Sequence, residues 1–573
     1  MSFAAIRNTA TSALATSQVN MQIAASNIAN ADTAGYTRKI GSQVMTSTGG
    51  LGAGVQVTSI TGTADKYLLK SLNTATSELA SASALKQFAD RVQALFGTID
   101  NDGSSNTLAN HVAKFESALA QLAGTPESQT LQVQLVDALD TLVGSLRSIS
   151  TGTQSLRASA DQGIADGVNL VNQRLEAINT LNKNIKQAAA RGDMTADMED
   201  QRALALQDIA TELNVSAYVG PDNVMKIYTA SGSALLDGTV HKINYAPSAF
   251  VTTETVFNPI MVDGKDITSA ITAGKMGAQI HQRDVNLPAT QAEIDVFAQT
   301  LIESVNGAYN QGTRLPAPSS VTSATTVVGT DALNGTGTFR LAEINSDGTL
   351  VSYSDFDLAT YADYNAFAAA INAVPGFDAS IDANGNFAIS STSGNGIALA
   401  DISSELSGKG VSASFGFNNL LVGTDARGIA VRADLLAAPT GLATASLDKT
   451  DPLVVGAPVV GVSPAVAKAL QNSVTAATDF PAAGGLAATS SSFASFAGLI
   501  ASRAAITSDT AGNTLQSKQS TYETLTTAIS AQSGVNVDEE VARVTELEQQ
   551  YSTAAQLLRI LNEMFDTLLG TVK

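Results

Sequence analysis

The residues to test first for chemistry are the three histidines, because imidazole titrates near neutral pH and ligates metals. His111, His241 and His281 lie far apart in different kinds of local pattern, so neither a histidine metal site nor a catalytic triad is expected. The chain contains no cysteine, which removes thiol catalysis, disulfides and the usual Cys-containing zinc sites. Asp538-Glu539-Glu540 offers adjacent carboxylates that could work as an acid–base pair or hold a cation. A helix capped by Asn536 or Asp538 accounts for the same run, since carboxylates are favoured in a first helical turn. Asp382-Ala383-Asn384-Gly385-Asn386 has the look of a calcium loop. It lacks the full Asp-x-Asp-x-Asp-Gly spacing and the distal Glu, so a hairpin turn is the expected form. Gly49, Gly50, Gly52 and Gly54 match neither a GxGxxG nor a P-loop spacing, and no phosphate site is expected there. No catalytic residue, metal or cofactor is assigned, and the chain is not expected to be an enzyme.

Composition points the same way. A chain of 573 residues exceeds one domain, and about three or four are expected. Net charge is −20, from 32 basic and 52 acidic residues, with no basic run. Phosphate contacts dominate nucleic-acid affinity, so no nucleic-acid partner is expected. The same charge argues against anionic membrane surfaces. No apolar run reaches the roughly eighteen residues of a membrane span, and Met1 to Arg7 lacks the pattern of a cleaved secretory signal.

The elements that must position any site are mostly helices. From Leu547 the apolar residues fall at Leu547, Tyr551, Ala554, Leu558, Leu561, Phe565 and Leu568, spaced alternately by four and three. That is a narrow stripe needing a partner helix. Residues 3–31 supply one candidate: Ile6, Ala10, Ala13, Ser17, Met21, Ala24, Ile28 and Ala31 share a face, thickened by Leu14. Two readings stay open: terminal helices paired as a coiled coil within an assembly, or ordinary amphipathic helices packed on a globular body. In the first reading, helices this poor in large apolar residues are largely disordered alone.

Between the ends, Asn27 to Arg38 carries helix-ending and turn residues, and a short β-segment is expected within 49–62. Long helices are expected over 64–215. One starts at Thr125-Pro126-Glu127 and is carried to Ile149. Another runs from about Leu156 to Arg191, where Gly192 stops it. Before these, Leu108, Val112, Phe115, Leu119 and Leu122 mark a helix in which His111 is expected at the surface or boundary. Strands begin near Val215, and helix returns over 289–311. A linker follows at 314–320, then a β-rich module over 321–405 with a helix at 361–374 and a hairpin at 377–389. Residues 406–490 read as weak short strands with one helix near 464–472, and helix resumes near Phe493. The fold class is α+β and multidomain: an elongated helical bundle built from both chain ends, with inserted β-rich outer domains. The expected division is 1–60 with 533–573; 61–214 with 272–320 and 491–532; 215–271 with 406–490; and 321–405.

Ser26-Asn27-Ile28-Ala29-Asn30-Ala31-Asp32-Thr33-Ala34-Gly35-Tyr36-Thr37-Arg38 resembles the N-terminal signature of the flagellar rod, hook and hook-associated axial proteins. Ser533-Gly534-Val535-Asn536-Val537-Asp538-Glu539-Glu540, the ending Asn562 to Leu569, Asp200-Gln201-Arg202 and Gln282-Arg283-Asp284 through Asn310 resemble the hook-associated members that join hook to filament. The resemblance spans about residues 1–320 and 490–573. Ala34 stands where the family commonly has Pro, which leaves the turn less rigid. Residues 61–64 lack the basic residues often seen there.

The resemblance implies a secreted structural subunit of the bacterial flagellum, exported unfolded without a cleaved signal. It would self-assemble into a short tubular ring, with terminal helices paired lengthwise. Implied partners are further copies, the hook protein, a second hook-associated junction protein and a flagellar export chaperone. The implied assembly residues are Ile6, Leu14, Met21, Asn27, Ile28, Asn30, Gly35, Tyr36, Arg38, Val537, Leu547, Tyr551, Leu558, Leu561, Phe565 and Leu568. For the Asn27–Arg38 segment, a helix-end turn and a subunit contact can hold together. Two other functions remain: another axial protein of the hook or distal rod, and a secreted enzyme or ligand binder. The latter requires a pocket with convergent polar groups in the β-modules.

Overall fold

The structure is a computed structural model that describes residues 3–48, 51–97 and 106–571. Gly49 and Gly50 lie outside the described residues. The helices are α1 (Phe3–Ala29), α2 (Lys66–Leu95), α3 (Leu108–Gly124), α4 (Gln129–Arg191), α5 (Ala196–Glu212), α6 (Gly274–His281) and α7 (Leu287–Tyr309). They continue as α8 (Tyr364–Asn372), α9 (Val411–Phe415), α10 (Ala433–Ala437), α11 (Pro464–Thr475), α12 (Phe493–Ser533) and α13 (Val537–Thr571). Short antiparallel sheets fill the intervals, so the class is α+β with long terminal helices and β-rich insertions. The chain forms two compact units, one of residues 1–88, 157–284 and 508–573, the other of 89–156 and 285–507.

In the first unit, strands β1 (Lys39–Thr48) and β2 (Leu51–Gly62) form an antiparallel hairpin covered by α1. The β-segment therefore starts ten residues earlier than the glycines suggested. Residues 39–48 are strand because they pair along the length of β2, and α1 closes on that hairpin: the Ser12 hydroxyl receives the Val55 amide at 3.2 Å, and Thr16 donates to the Val55 carbonyl at 3.2 Å. A Cβ on Gly54 would stand 2.0 Å from that Ser12 hydroxyl. Further along, α4, α5 and α6 enclose a core with small sheets, among them Val215–Val219, Met225–Thr229 and Ala234–Leu236. Ile164, Val171, Leu175 and Ile178 of α4 supply one wall, every one fully buried.

In the second unit, Leu108, Val112, Phe115, Leu119 and Leu122 of α3 recur at helical spacing and all face inward. They join α4, α7, α11 and the start of α12 in one apolar core. His111 lies inside as well, at 7% exposure, contrary to the surface or boundary position expected. It sits one residue before Val112 on a helix whose buried face is wide. Its Nδ1 has no hydrogen-bond partner among the described residues. Burial, together with Lys114, lowers its pKa, so it stays neutral.

The two helices expected over 125–191 are one. Thr125 closes α3, accepting no role as the next cap, and α4 begins at Gln129 behind Ser128. It then runs without a break through Ser150-Thr151-Gly152-Thr153, a stretch weak in helix propensity. Gln291 of α7 holds that stretch: Ser150 and Gln154 donate to its Oε1 at 3.2 and 3.0 Å. Gly152 also admits the Leu95 side chain, which would lie 2.5 Å from an added Cβ. Gly192, at φ +80°, ends the helix as expected. Helix also begins earlier than residue 289, because α6, a π-turn at Gln282–Asn286 and α7 follow one another directly.

The inserted module has two three-stranded sheets. Thr338–Ile344 lies between Leu350–Asp357 and Gly396–Asp401, while Asn386–Ser391 lies between Phe377–Ile381 and Ser320–Thr326. Phe367 of α8 sits among Phe339, Phe356 and Phe387 in its core. The Asp382 carboxylate is consumed by the hairpin turn, accepting from the Asn384 and Asn386 amides at 2.8 and 2.9 Å.

Candidate functional site

The residues with most polar chemistry around them gather where the two chain ends meet, in the first unit. Gly534 breaks the run between α12 and α13, and Asn536 caps α13, its Oδ1 receiving the Asp538 amide at 3.1 Å. The first turn of α13 then presents Glu540 to Asn27 in the last turn of α1. Since the two helices also pack along their length, they run antiparallel.

Glu540 is 1% exposed. Its Oε1 accepts from Arg38 Nε at 2.7 Å and its Oε2 from Asn27 Nδ2 at 3.2 Å. Asn27 is saturated: its Nδ2 also donates to the Lys39 carbonyl at 3.0 Å, and its Oδ1 receives the Tyr36 hydroxyl and the Lys39 amide at 2.9 Å each. Burial, and the nearby carboxylates of Asp197, Asp200 and Glu540, push the Tyr36 hydroxyl above its ordinary pKa, so it remains a donor. The backbone closes the corner. The Arg38 amide donates to the Ser533 carbonyl at 2.9 Å, and Ser533 Oγ to the Thr63 carbonyl at 3.1 Å.

A third segment joins through Asp200 of the Asp200-Gln201-Arg202 run. Its carboxylate receives the Thr37 amide at 3.1 Å and the Thr37 hydroxyl at 2.8 Å, and it pairs with the buried Lys39 ammonium. Two residues on, Arg202 is buried and forms no ion pair among the described residues. It donates to Asn182 Oδ1 at 3.0 Å and to Asn223, both carbonyl (2.6 Å) and side chain (3.1 Å). Asn223 stands at φ 57°, a conformation asparagine tolerates better than most residues. Arg283 of the Gln282-Arg283-Asp284 run is 2% exposed and forks onto Asp284 at 2.8 and 2.9 Å. It also reaches Asp161 at 2.8 Å and Tyr245 at 2.5 Å.

This arrangement locks segments together. Every carboxylate named is paired or hydrogen-bonded, which is what burial demands. Among the described residues, no group of three metal-ligating side chains exists, and no helix is long and apolar enough to cross a membrane.

The assembly residues named from sequence fall into three settings. Asn27, Tyr36 and Arg38 belong to the lock. Asn30 shapes the turn through Ser26 and Thr33. Gly35, at φ +75°, lets the chain pass Leu204, whose side chain would be 2.5 Å from an added Cβ. Ile6, Leu14, Met21 and Ile28 are half-buried on α1, around the fully buried Ala10, Ser17 and Ala24. On α13, Leu547 and Leu561 are buried and Leu558 half-buried, while Val537, Tyr551, Phe565 and Leu568 are exposed. Sequence reasoning missed Lys39 and took Glu540 only as part of a helix start. One signal was available for Glu540: it lies one heptad before Leu547, so the stripe extended backwards lands on it.

Three family models match the chain. Residues 8–37 match the flagella basal body rod protein model, and residues 528–571 the flagellar basal body rod FlgEFG protein C-terminal model. These are the two segments that the lock ties together. Residues 89–319 match the flagellar hook-associated protein FlgK helical domain. The chain belongs to the flagellar hook-associated protein 1 (FlgK) family. The FlgK family is one of structural flagellar proteins, and the chain is a flagellar hook-associated axial protein. The structure of the flagellar hook junction protein FlgK from Burkholderia pseudomallei is similar over 80% of this chain and 99% of that chain, at 13% identity and a TM-score of 0.48. None of the curated proteins matches the chain.

Proposed function

We propose that this chain forms the junction between the flagellar hook and filament, self-assembling into a short ring with its terminal helices along the axis. The observation that carries this reading is the uncovered apolar row on α13. Tyr551, Phe565 and Leu568 are 41%, 53% and 54% exposed, and Leu557, Ile560, Met564 and Leu569 are exposed beside them. A helix already packed on α1 by one face, with a second apolar face open to water, is built to be covered by further subunits. Ile6, Leu14, Met21, Asn27, Ile28, Asn30, Gly35, Tyr36, Arg38, Val537, Leu547, Tyr551, Leu558, Leu561, Phe565 and Leu568 make or orient that assembly surface. Residues 1–60 with 533–573 are then the axial part.

The chain acts without catalysis. Its partners are other copies, the hook protein below, a second hook-associated protein above and a flagellar export chaperone before assembly. Export proceeds unfolded through the flagellar pathway.

A second reading, as a subunit of the hook or distal rod, draws on the rod-type matches at both ends. Electron microscopy of cells lacking the protein, with a blot for flagellin in the medium, separates the two. Intact hooks without filaments, and flagellin shed into the medium, are expected for a junction subunit. Absent hooks would move the protein down to the rod or hook, and normal flagella would overturn both readings.

A further inference from the structure

Beneath the inserted module, within the second unit, is a cavity of about 170 Å³. It lies between the turn after α7, the strands Ser320–Thr326 and Gly396–Asp401, α9 and the segment 417–434. Ile397 and Phe417 give it apolar walls, and Ser412, Thr322 and Arg314 contribute polar groups. Two features there are not used by the fold. Ser412 is 2% exposed, yet its hydroxyl has no hydrogen-bond partner among the described residues. Arg314, at the mouth, forms no ion pair among the described residues, whereas the neighbouring Arg432 is held by Asp434 at 2.6 Å and by the Asn419 carbonyl at 2.8 Å. Two arginines against one aspartate leave the lining with one net positive charge, in a chain whose net charge is −20.

We propose that this cavity binds a small hydroxylated carboxylate, between a hydroxy acid and an acidic monosaccharide in size. An unpaired guanidinium matches a carboxylate in charge and fork geometry. A buried hydroxyl with no partner is completed by a ligand hydroxyl. The volume sets the ceiling, because sites for drug-sized ligands begin at roughly 300 Å³. Nucleotides and oligosaccharides are therefore too large, and a dianion would exceed the available charge.

The test is calorimetric titration of the full chain with glucuronate and with lactate, and with glucose as the uncharged control. Saturable binding of at least one acid, with none for glucose, is expected. Arg314→Gln should weaken binding about tenfold or more, the loss of a charge-assisted contact. Ser412→Ala should weaken it severalfold while leaving the charge intact. Because Arg314 is exposed and unpaired, its variant should melt as the parent does, so lost binding reports the site rather than the fold. No saturable heat from either acid up to about 10 mM, equal binding of glucose, or unchanged binding by Arg314→Gln would each overturn the proposal.

Discussion

Residues 540, 547, 554, 561 and 568 occupy one helical position along α13, yet their surroundings change along the helix. Glu540 is 1% exposed and charge-paired, Leu547 and Leu561 are packed, and Leu568 is 54% exposed. The first turn of α13 is held by polar groups of Asn27 and Arg38, more than 500 residues earlier in its own chain. The second half offers apolar surface that the chain leaves open. Polar contacts have strict geometry and define one register, while apolar contacts are tolerant and suit a surface met by other subunits. The comparison separates residues that fix the position of α13 from residues that use it.

The largest effect on the isolated chain should come from Arg38→Ala. It leaves Glu540 buried with Asn27 as its remaining side-chain partner. Breaking a buried pair costs about 3–5 kcal/mol. Because Arg38 is itself a quarter exposed, a loss of about 3 kcal/mol is expected. Hydrogen exchange should register it as lost protection in the first turns of α13 and the last turn of α1. Unchanged protection there would mean that apolar packing alone positions the helix.

Gly35→Ala should cost less, about 1–2 kcal/mol, from the left-handed backbone alone. Leu204, exposed at the surface, can swing aside to make room. A denaturant midpoint indistinguishable from the parent would show that the turn relaxes freely without Pro at position 34.

The buried acid Glu212 gives a pH test within the same unit. It is 5% exposed, and its Oε2 has no hydrogen-bond partner among the described residues. Burial raises its pKa, with Asp166 adding to the rise and Lys275 opposing it. A carboxyl whose folded value lies above the unfolded value of about 4.3 stabilises fully below that value, and the contribution is lost as pH rises through the folded value. Glu212→Gln should therefore melt higher than the parent at neutral pH, with the gap closing toward pH ~4. A pH-independent gap would mean that burial does not raise the Glu212 carboxyl above its value in the unfolded chain.

How far the sequence could be read depended on the kind of contact. Repeats of apolar residues on one helix were legible: the α3 row from Leu108 to Leu122 and the α13 row from Leu547 each describe a face. Local turn chemistry was legible too, as at Asn536 and Asp382. Partners 161 residues apart, as Lys39 and Asp200 are, leave no periodic trace, because one charged residue resembles any other until the fold brings its partner near. The unbroken α4 was hidden for the same reason, since Gln291, which holds its weakest stretch, lies 141 residues beyond Ser150. Resemblance drew attention to the Asp200 and Arg283 runs, but what they bind became visible only in the folded chain.

The smallest effect on the isolated chain, and the sharpest test of the comparison, is expected for Phe565→Ser. Phe565 is 53% exposed, and surface substitutions away from special features change stability by within about 0.5 kcal/mol. Melting and hydrogen exchange of the purified variant should match the parent. In cells the same variant should give hooks without filaments and flagellin in the medium, because a serine there takes apolar area out of the proposed subunit contact. Arg38→Ala would show both defects, as it loosens the helix that carries the contact. If Phe565→Ser lowered stability as Arg38→Ala does, Phe565 itself would be packing on its own chain. If it left filaments intact, the open row would not be the assembly surface, and the contact would have to be sought on the half-buried residues of α1.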